Sequence, residues 1–181
     1  MSNDYWIMDK TNTRRVFFAL WPDDDVRKKM VNTFKQSPQS KFEGRLMQPE
    51  NLHLTLHFIG NVSAEKLACL DQAAQTVKIK PFELALSSYG HFDKAKIFWM
   101  GCRVIPQSLN DLHKRLAEAF SNCDFNIDKR VYAPHVSLMR KISMPGECVD
   151  FEAVKWKINE FVLVESMSIE AGVKYKVIRR Y

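Results

Sequence analysis

Residues 51–60 read NLHLTLHFIG. Leu52, Leu54, Leu56 and Phe58 occupy one set of alternate positions, and His53, Thr55 and His57 occupy the other. Strict two-residue alternation predicts a half-buried strand, with the apolar set turned to a core and the polar set sharing the opposite face. An ordinary solvated face carries Lys, Glu or Thr. This one carries imidazoles around a hydroxyl, which is a row of groups able to bind and move protons near neutral pH.

The pattern recurs in the second half of the chain. Residues 132–140 read YAPHVSLMR, so His135 and Ser137 repeat the spacing of His53 and Thr55 on a second apolar-alternating segment. A His and a hydroxyl two positions apart on a strand lie roughly 6.5–7 Å apart, close enough to address one group the size of a phosphate. Two such strands side by side place two imidazoles and two hydroxyls around a common point. One imidazole can then act as base while the other, protonated, acts as acid. Nothing in that arrangement calls for a metal ion or another cofactor. The duplication also suggests two halves that face each other.

The other elements follow from local signals. RVFFALW (15–21) predicts a buried strand. Pro22 and the acidic residues Asp23 to Asp25 open a helix over 24–36, with Val26, Met30 and Phe34 inward. Ser63 caps a helix over 64–77. FELALSS (82–88) and KIFWMGCRV (96–104) alternate as strands. Pro106 opens a helix with Leu109, Leu112, Leu116 and Phe120 on one stripe. FVLVESMSI (161–169) and VKYKVIRRY (173–181) close the chain as a hairpin. The expectation is about seven strands and three helices in a single α+β domain spanning 1–181, with 1–14 as a loosely ordered extension. Residues 37–50 read as a loop.

Composition bounds the class. The chain has 181 residues, 46% hydrophobic and 27% charged, which fits a globular protein with a sizeable core. No apolar run is long enough to span a membrane, and the N-terminus lacks the pattern of an export signal. The net charge of +6 favours a polyanionic partner without proving one. Cys69, Cys102, Cys123 and Cys148 show no metal-binding or CxxC spacing and are expected as free thiols in a reducing cytoplasm.

RVFFALWP, NLHLTLHFIGNVSAEK, APHVSLMR and the closing FVLVESMSIEAGVKYKVIRRY occur in the order seen in a known family. On these stretches, which cover most of the chain, the sequence resembles the two-histidine (2H) phosphoesterases, and among them the RNA 2′,3′-cyclic phosphodiesterases, formerly called 2′-5′ RNA ligases. The resemblance implies a bilobal α+β fold. Two pseudo-symmetric lobes with antiparallel sheets would line a central cleft, with helices outside. It implies metal-independent hydrolysis of a 2′,3′-cyclic phosphate to a 2′-phosphate, with His53 as general acid and His135 as general base. Thr55, Ser137 and Arg140 would bind the phosphate. RNA ends or small cyclic nucleotides would be the partners. Because the site is complete in one chain, a monomer is expected, in the cytoplasm that the free thiols suggest. The rivals are 2′-5′ ligation, hydrolysis of 2′-5′-linked or other cyclic nucleotides, and RNA binding without catalysis.

Several residues carry separate expectations. Simple alternation turns Arg140 away from His135, so it can serve only if the strand bulges, twists strongly or ends near Met139. Arg130, in the loop before the second motif, would meet RNA phosphates. His57 shares the face of His53 by alternation and is a candidate nucleotide contact. Phe17, Phe18 or Phe58 would stack a base; alternation assigns Phe58 to the core. Trp99 and Tyr175 are expected as packing residues, and His113 as the flank of a helix.

Overall fold

The computed structural model describes residues 13–126, 130–143, 148–149, 151–170 and 172–181. The expected extension at 1–14 therefore lies outside the described residues except at its end, where Arg14 already belongs to a strand.

The framework is an antiparallel sheet. Its strands are β1 (Arg14–Leu20), β2 (Arg45–Leu46), β3 (Leu54–Val62), β4 (Phe82–Phe92), β5 (Ile97–Cys102), β6 (His135–Arg140), β7 (Val154–Ile158), β8 (Val162–Ile169) and β9 (Gly172–Arg180). Three helices interrupt them: α1 (Asp24–Gln36), α2 (Ala64–Thr76) and α3 (Gln107–Phe120). The strand order is β7-β4-β5-β6-β3-β1-β8-β9, with the short β2 added on β6. The sequence reading missed β2 and β7. Two residues of β2 cannot display a period. VKWKI (154–158) does alternate, with Val154, Trp156 and Ile158 buried, so its period is visible in the sequence.

The helices form where the local chemistry asks for them. The Asp23 carboxylate accepts from Val26 N–H at 2.8 Å, and the Ser63 hydroxyl accepts from Lys66 N–H at 3.3 Å. Val26, Met30 and Phe34 of α1, Leu70 and Ala74 of α2, and Leu109, Leu112, Leu116 and Phe120 of α3 are buried. All belong to one core cluster with Phe18, Leu54, Leu86, Phe98 and Val136 of the sheet. The helices thus cover a single face. The other face carries a small apolar cluster, in which Phe17, Ala19, Val162 and Val164 are buried beside Trp21, Tyr175 and Val177.

The two halves expected from the repeated motif meet at one seam. β3 and β6 run antiparallel in the middle of the sheet and pair through Leu54 and Val136. The result is one continuous curled sheet rather than two separate ones. The seam falls between the two His-x-hydroxyl motifs, which places them side by side.

The thiols differ from expectation. Cys69 on α2 and Cys123, just after α3, form a disulfide with Cα atoms 5.7 Å apart. Helix packing, not sequence spacing, brings them together: the two cysteines are separated by 54 residues. Cys102 and Cys148 are free.

Candidate active site

His53 and His135 are held in the same way. Each Nδ1 lies 2.7 Å from the backbone carbonyl two residues earlier, Asn51 for one and Ala133 for the other. A carbonyl only accepts, so Nδ1 carries the hydrogen and Nε2 is left for other work. Asn51 is itself anchored, because its side-chain amide donates to the Val173 carbonyl at 3.0 Å. The sequence reading did not identify these two carbonyls; their common signal is the residue two before each motif histidine.

Aromatic rings wall both imidazoles. Phe17, Tyr175 and Trp21 lie 4.8, 5.1 and 5.7 Å from His53, centroid to centroid. Phe92 and Trp99 lie 4.8 and 6.2 Å from His135. Trp99 and Tyr175 are therefore packing residues, but what they pack is the site. Trp99 lies flat across two glycines: a Cβ at Gly90 would fall 2.2 Å from its ring, and one at Gly101 2.9 Å. Burial drives the proton affinity of both histidines down. His53 falls to about 4, helped by the nearby positive charge of His135 and Arg140, with the Asn51 carbonyl opposing. His135 is lowered by burial and by Arg140, with the Ala133 carbonyl opposing.

Thr55 pairs across the ladder with Ala19, and Ser137 with Trp99. Directly opposed residues share a face, so both hydroxyls lie on the open side with the histidines' aromatic walls.

Beyond the hydroxyls both strands do the same unexpected thing. On β3 the register passes from Thr55–Ala19 to His57–Phe18, leaving Leu56 as an extra residue. On β6 it passes from Ser137–Trp99 to Met139–Phe98, leaving Leu138 as the extra residue. These are matching β-bulges, and each inverts the alternation that follows. On β6 the bulge buries Met139 and returns Arg140 to the open face, meeting one of the conditions its candidacy required. The charge of Arg140 acts on both imidazoles.

On β3 the same bulge overturns two expectations. His57 does not share the face of His53: it is 4% exposed and turned to the helices. Its Nε2 donates to the His113 carbonyl at 2.8 Å, and its ring stacks on His113 at 4.1 Å. Phe58, assigned to the core, is instead 53% exposed, under the Arg15 guanidinium at 4.8 Å. Phe58 is thus the counterpart of Arg140. Phe18 is corrected as well. It is 0% exposed and packs on Phe120, Phe161 and Tyr181, so it faces the core while its neighbour Phe17 faces the cleft. Arg130 is exposed in the loop before β6.

A three-ring stack backs the site. His113 of α3 is sandwiched between His57 and Tyr132, the latter at 3.8 Å. Tyr132, three residues before His135, donates its hydroxyl to the Thr55 carbonyl at 3.1 Å. Among the described residues, no three His, Cys, Asp or Glu side chains gather as a metal site would require. No helix among them is long and apolar enough to cross a membrane.

Two imidazoles with free Nε2 atoms, two hydroxyls and a guanidinium on one open face are groups that could carry out acid–base chemistry on a phosphate ester. Residues 22–169 match the model of the 2′-5′ RNA ligase superfamily, and the chain belongs to that superfamily. It is 27% identical over 170 residues to an RNA 2′,3′-cyclic phosphodiesterase of Escherichia coli K12, covering 93% of this chain and 96% of that one. It is 31% identical over 133 residues to a protein of the same description from Methanocaldococcus jannaschii, covering 70% of each. The crystal structure of Escherichia coli LigT in apo form superposes with a TM-score of 0.84 at 28% identity, over 94% of this chain and 97% of that one. LigT complexed with 3′-AMP gives 0.84 at 27% identity, over 93% and 97%.

Proposed function

We propose that this protein hydrolyses 2′,3′-cyclic phosphate ends of RNA to 2′-phosphomonoesters, using two histidines and no metal ion. The observation that carries the reading is the twin arrangement of His53 and His135, each with Nδ1 tied to a carbonyl and Nε2 free, across the β3–β6 seam. The relatives described as RNA 2′,3′-cyclic phosphodiesterases support it.

In this reaction water attacks phosphorus opposite O3′, the P–O3′ bond breaks, and the 2′-ester remains. His135 accepts the proton of the attacking water, and His53 delivers a proton to O3′. Thr55 and Ser137 donate to the non-bridging oxygens, and Arg140 balances the charge that builds on them. His53 has so low a proton affinity in the free protein that it must gain its proton with the substrate. A bound phosphate anion beside the imidazole provides that shift. With a 5′-hydroxyl in place of water as the attacking group, the same displacement of O3′ would form a 2′-5′ linkage and leave a free 3′-hydroxyl. All five groups come from one chain, and we read the protein as a monomer. The reading places it in the cytoplasm, where the Cys69–Cys123 bridge would have to withstand a reducing environment.

The test uses an RNA oligonucleotide ending in a 2′,3′-cyclic phosphate, with excess chelator and phosphorus NMR to locate the monoester. Wild type is expected to yield the 2′-phosphate, and His53→Ala and His135→Ala to lose several orders of magnitude in kcat. Residual activity of His53→Ala should lack the basic limb of the pH profile, and that of His135→Ala the acidic limb. Full activity in either variant would sink the mechanism; swapped limbs would exchange the two roles.

A further inference from the structure

Arg45 stands directly opposite Arg140 in the β2–β6 ladder. Opposed residues share a face with Cβ atoms about 4.5–5.5 Å apart, and like charges there are unfavourable. Four other arginines have carboxylate partners, Arg14 with Glu165, Arg27 with Asp24, Arg179 with Asp71 and Arg180 with Glu160, and Arg15 lies over the Phe58 ring. Among the described residues neither Arg45 nor Arg140 has a carboxylate partner, and Arg45 is exposed. Two uncompensated guanidinium groups side by side call for anions.

The two side chains serve different places. Arg140 acts on both imidazoles. Arg45 reaches toward the β8–β9 turn, where its Nη1 lies 3.7 Å from the position a Cβ would take on Gly172. The next residue, Val173, accepts from Asn51, whose own carbonyl orients His53. Arg45 therefore sits on the rim of the cleft, on the His53 side, one guanidinium beyond the reacting centre. A cyclic phosphodiester carries one negative charge and answers Arg140. The second cation matches the single charge of the next phosphodiester along an RNA strand.

We propose that Arg45 binds the internucleotide phosphodiester immediately 5′ of the cyclic phosphate, so that the enzyme reads an RNA end as a strand of at least two nucleotides rather than as a mononucleotide. The assignment rests on the proposed reaction. It adds a substrate-length determinant that lies outside the two motifs.

The experiment compares three substrates: a nucleoside 2′,3′-cyclic monophosphate, a dinucleotide ending in the same cyclic nucleotide, and that dinucleotide with a neutral methylphosphonate linkage. For wild type, kcat/KM on the charged dinucleotide is expected to exceed that on the neutral one by about tenfold, the scale of a charge-assisted contact. In Arg45→Gln the ratio should fall to about one, while Arg45→Lys should keep part of it. The slope of log kcat/KM against log salt on the charged dinucleotide should also shrink by about one in Arg45→Gln. An undiminished ratio in Arg45→Gln, or a wild-type ratio of one, overturns the role of Arg45 alone. A wild type that opens none of the three substrates overturns the proposed reaction and this assignment with it.

Discussion

Tyr132 donates its hydroxyl to the carbonyl of Thr55, so the loop that leads into one motif is bonded to the strand that carries the other. The backbone pairing at the seam is thin, with Leu54 and Val136 as its recorded partners. The Tyr132 bond therefore helps to hold the two motifs in mutual register. Its ring is kept in place by the stack on His113, and its hydroxyl is deeply buried, which pushes its proton affinity far up and keeps it a neutral donor.

Tyr132→Phe keeps the stack and removes the bond. Stability should fall by about 1 kcal/mol. The kcat should fall more than KM rises, since a small misplacement of one imidazole against the other harms chemistry before binding. Urea unfolding and steady-state kinetics on a cyclic-phosphate RNA end read the two effects. An unchanged kcat would reduce the bond to scaffolding.

The low proton affinities of His53 and His135 set the pH dependence. The reaction needs one imidazole protonated and one neutral, and kcat/KM reports the free protein. Both groups lie below the usual histidine value, His53 at about 4. The optimum of kcat/KM is therefore expected below pH ~6.5, the ordinary histidine pKa. The optimum of kcat should sit higher, because a bound phosphate favours the imidazolium. Coincident optima above pH ~7 would contradict this.

His57 is a structural titrating group. Burial lowers its proton affinity in the fold, opposed by the His113 carbonyl. Between its folded value and the unfolded one near 6.5, the unfolded chain binds more protons. Its contribution is therefore complete above pH ~6.5 and is lost as the pH falls below it. His57→Phe keeps a ring in the stack and removes the titration. Its loss of stability between pH 8 and pH 5, measured by urea unfolding, should be smaller than that of wild type. An equal loss would place the acid sensitivity elsewhere.

Gly90 is where Trp99 needs an absent side chain. Gly90→Ala would set a Cβ 2.2 Å from the indole ring and push it toward Ser137 and His135. The expected result is a loss of about tenfold to a hundredfold in kcat/KM, with a shift in tryptophan emission. Wild-type kinetics in this variant would show that the wall beside His135 is dispensable.

The helices, most of the strands and the paired His-x-hydroxyl motifs were legible because each rests on neighbours in sequence. Asp23 and Ser63 cap their own helices, and Leu54 and Val136 point inward because their strands alternate. His53, Thr55, His135 and Ser137 precede both bulges, so alternation assigned their faces correctly. Past Leu56 and Leu138 it failed for His57 and Phe58 and was insufficient for Arg140. Where a strand bulges is settled by the strand it pairs with, here β1 and β5, and no local pattern in β3 or β6 records that partner.

The amino-acid order by itself determined that two imidazole–hydroxyl pairs would ride on two apolar strands. Only the tertiary structure decided that those strands adjoin, that Cys69 meets Cys123, and that Phe58 and Arg140 face the cleft while His57 does not. The physical reason is common to all three. Periodicity is a property of one segment, whereas register, bulges and cross-links are properties of two segments in contact, set by the free energy of packing them together.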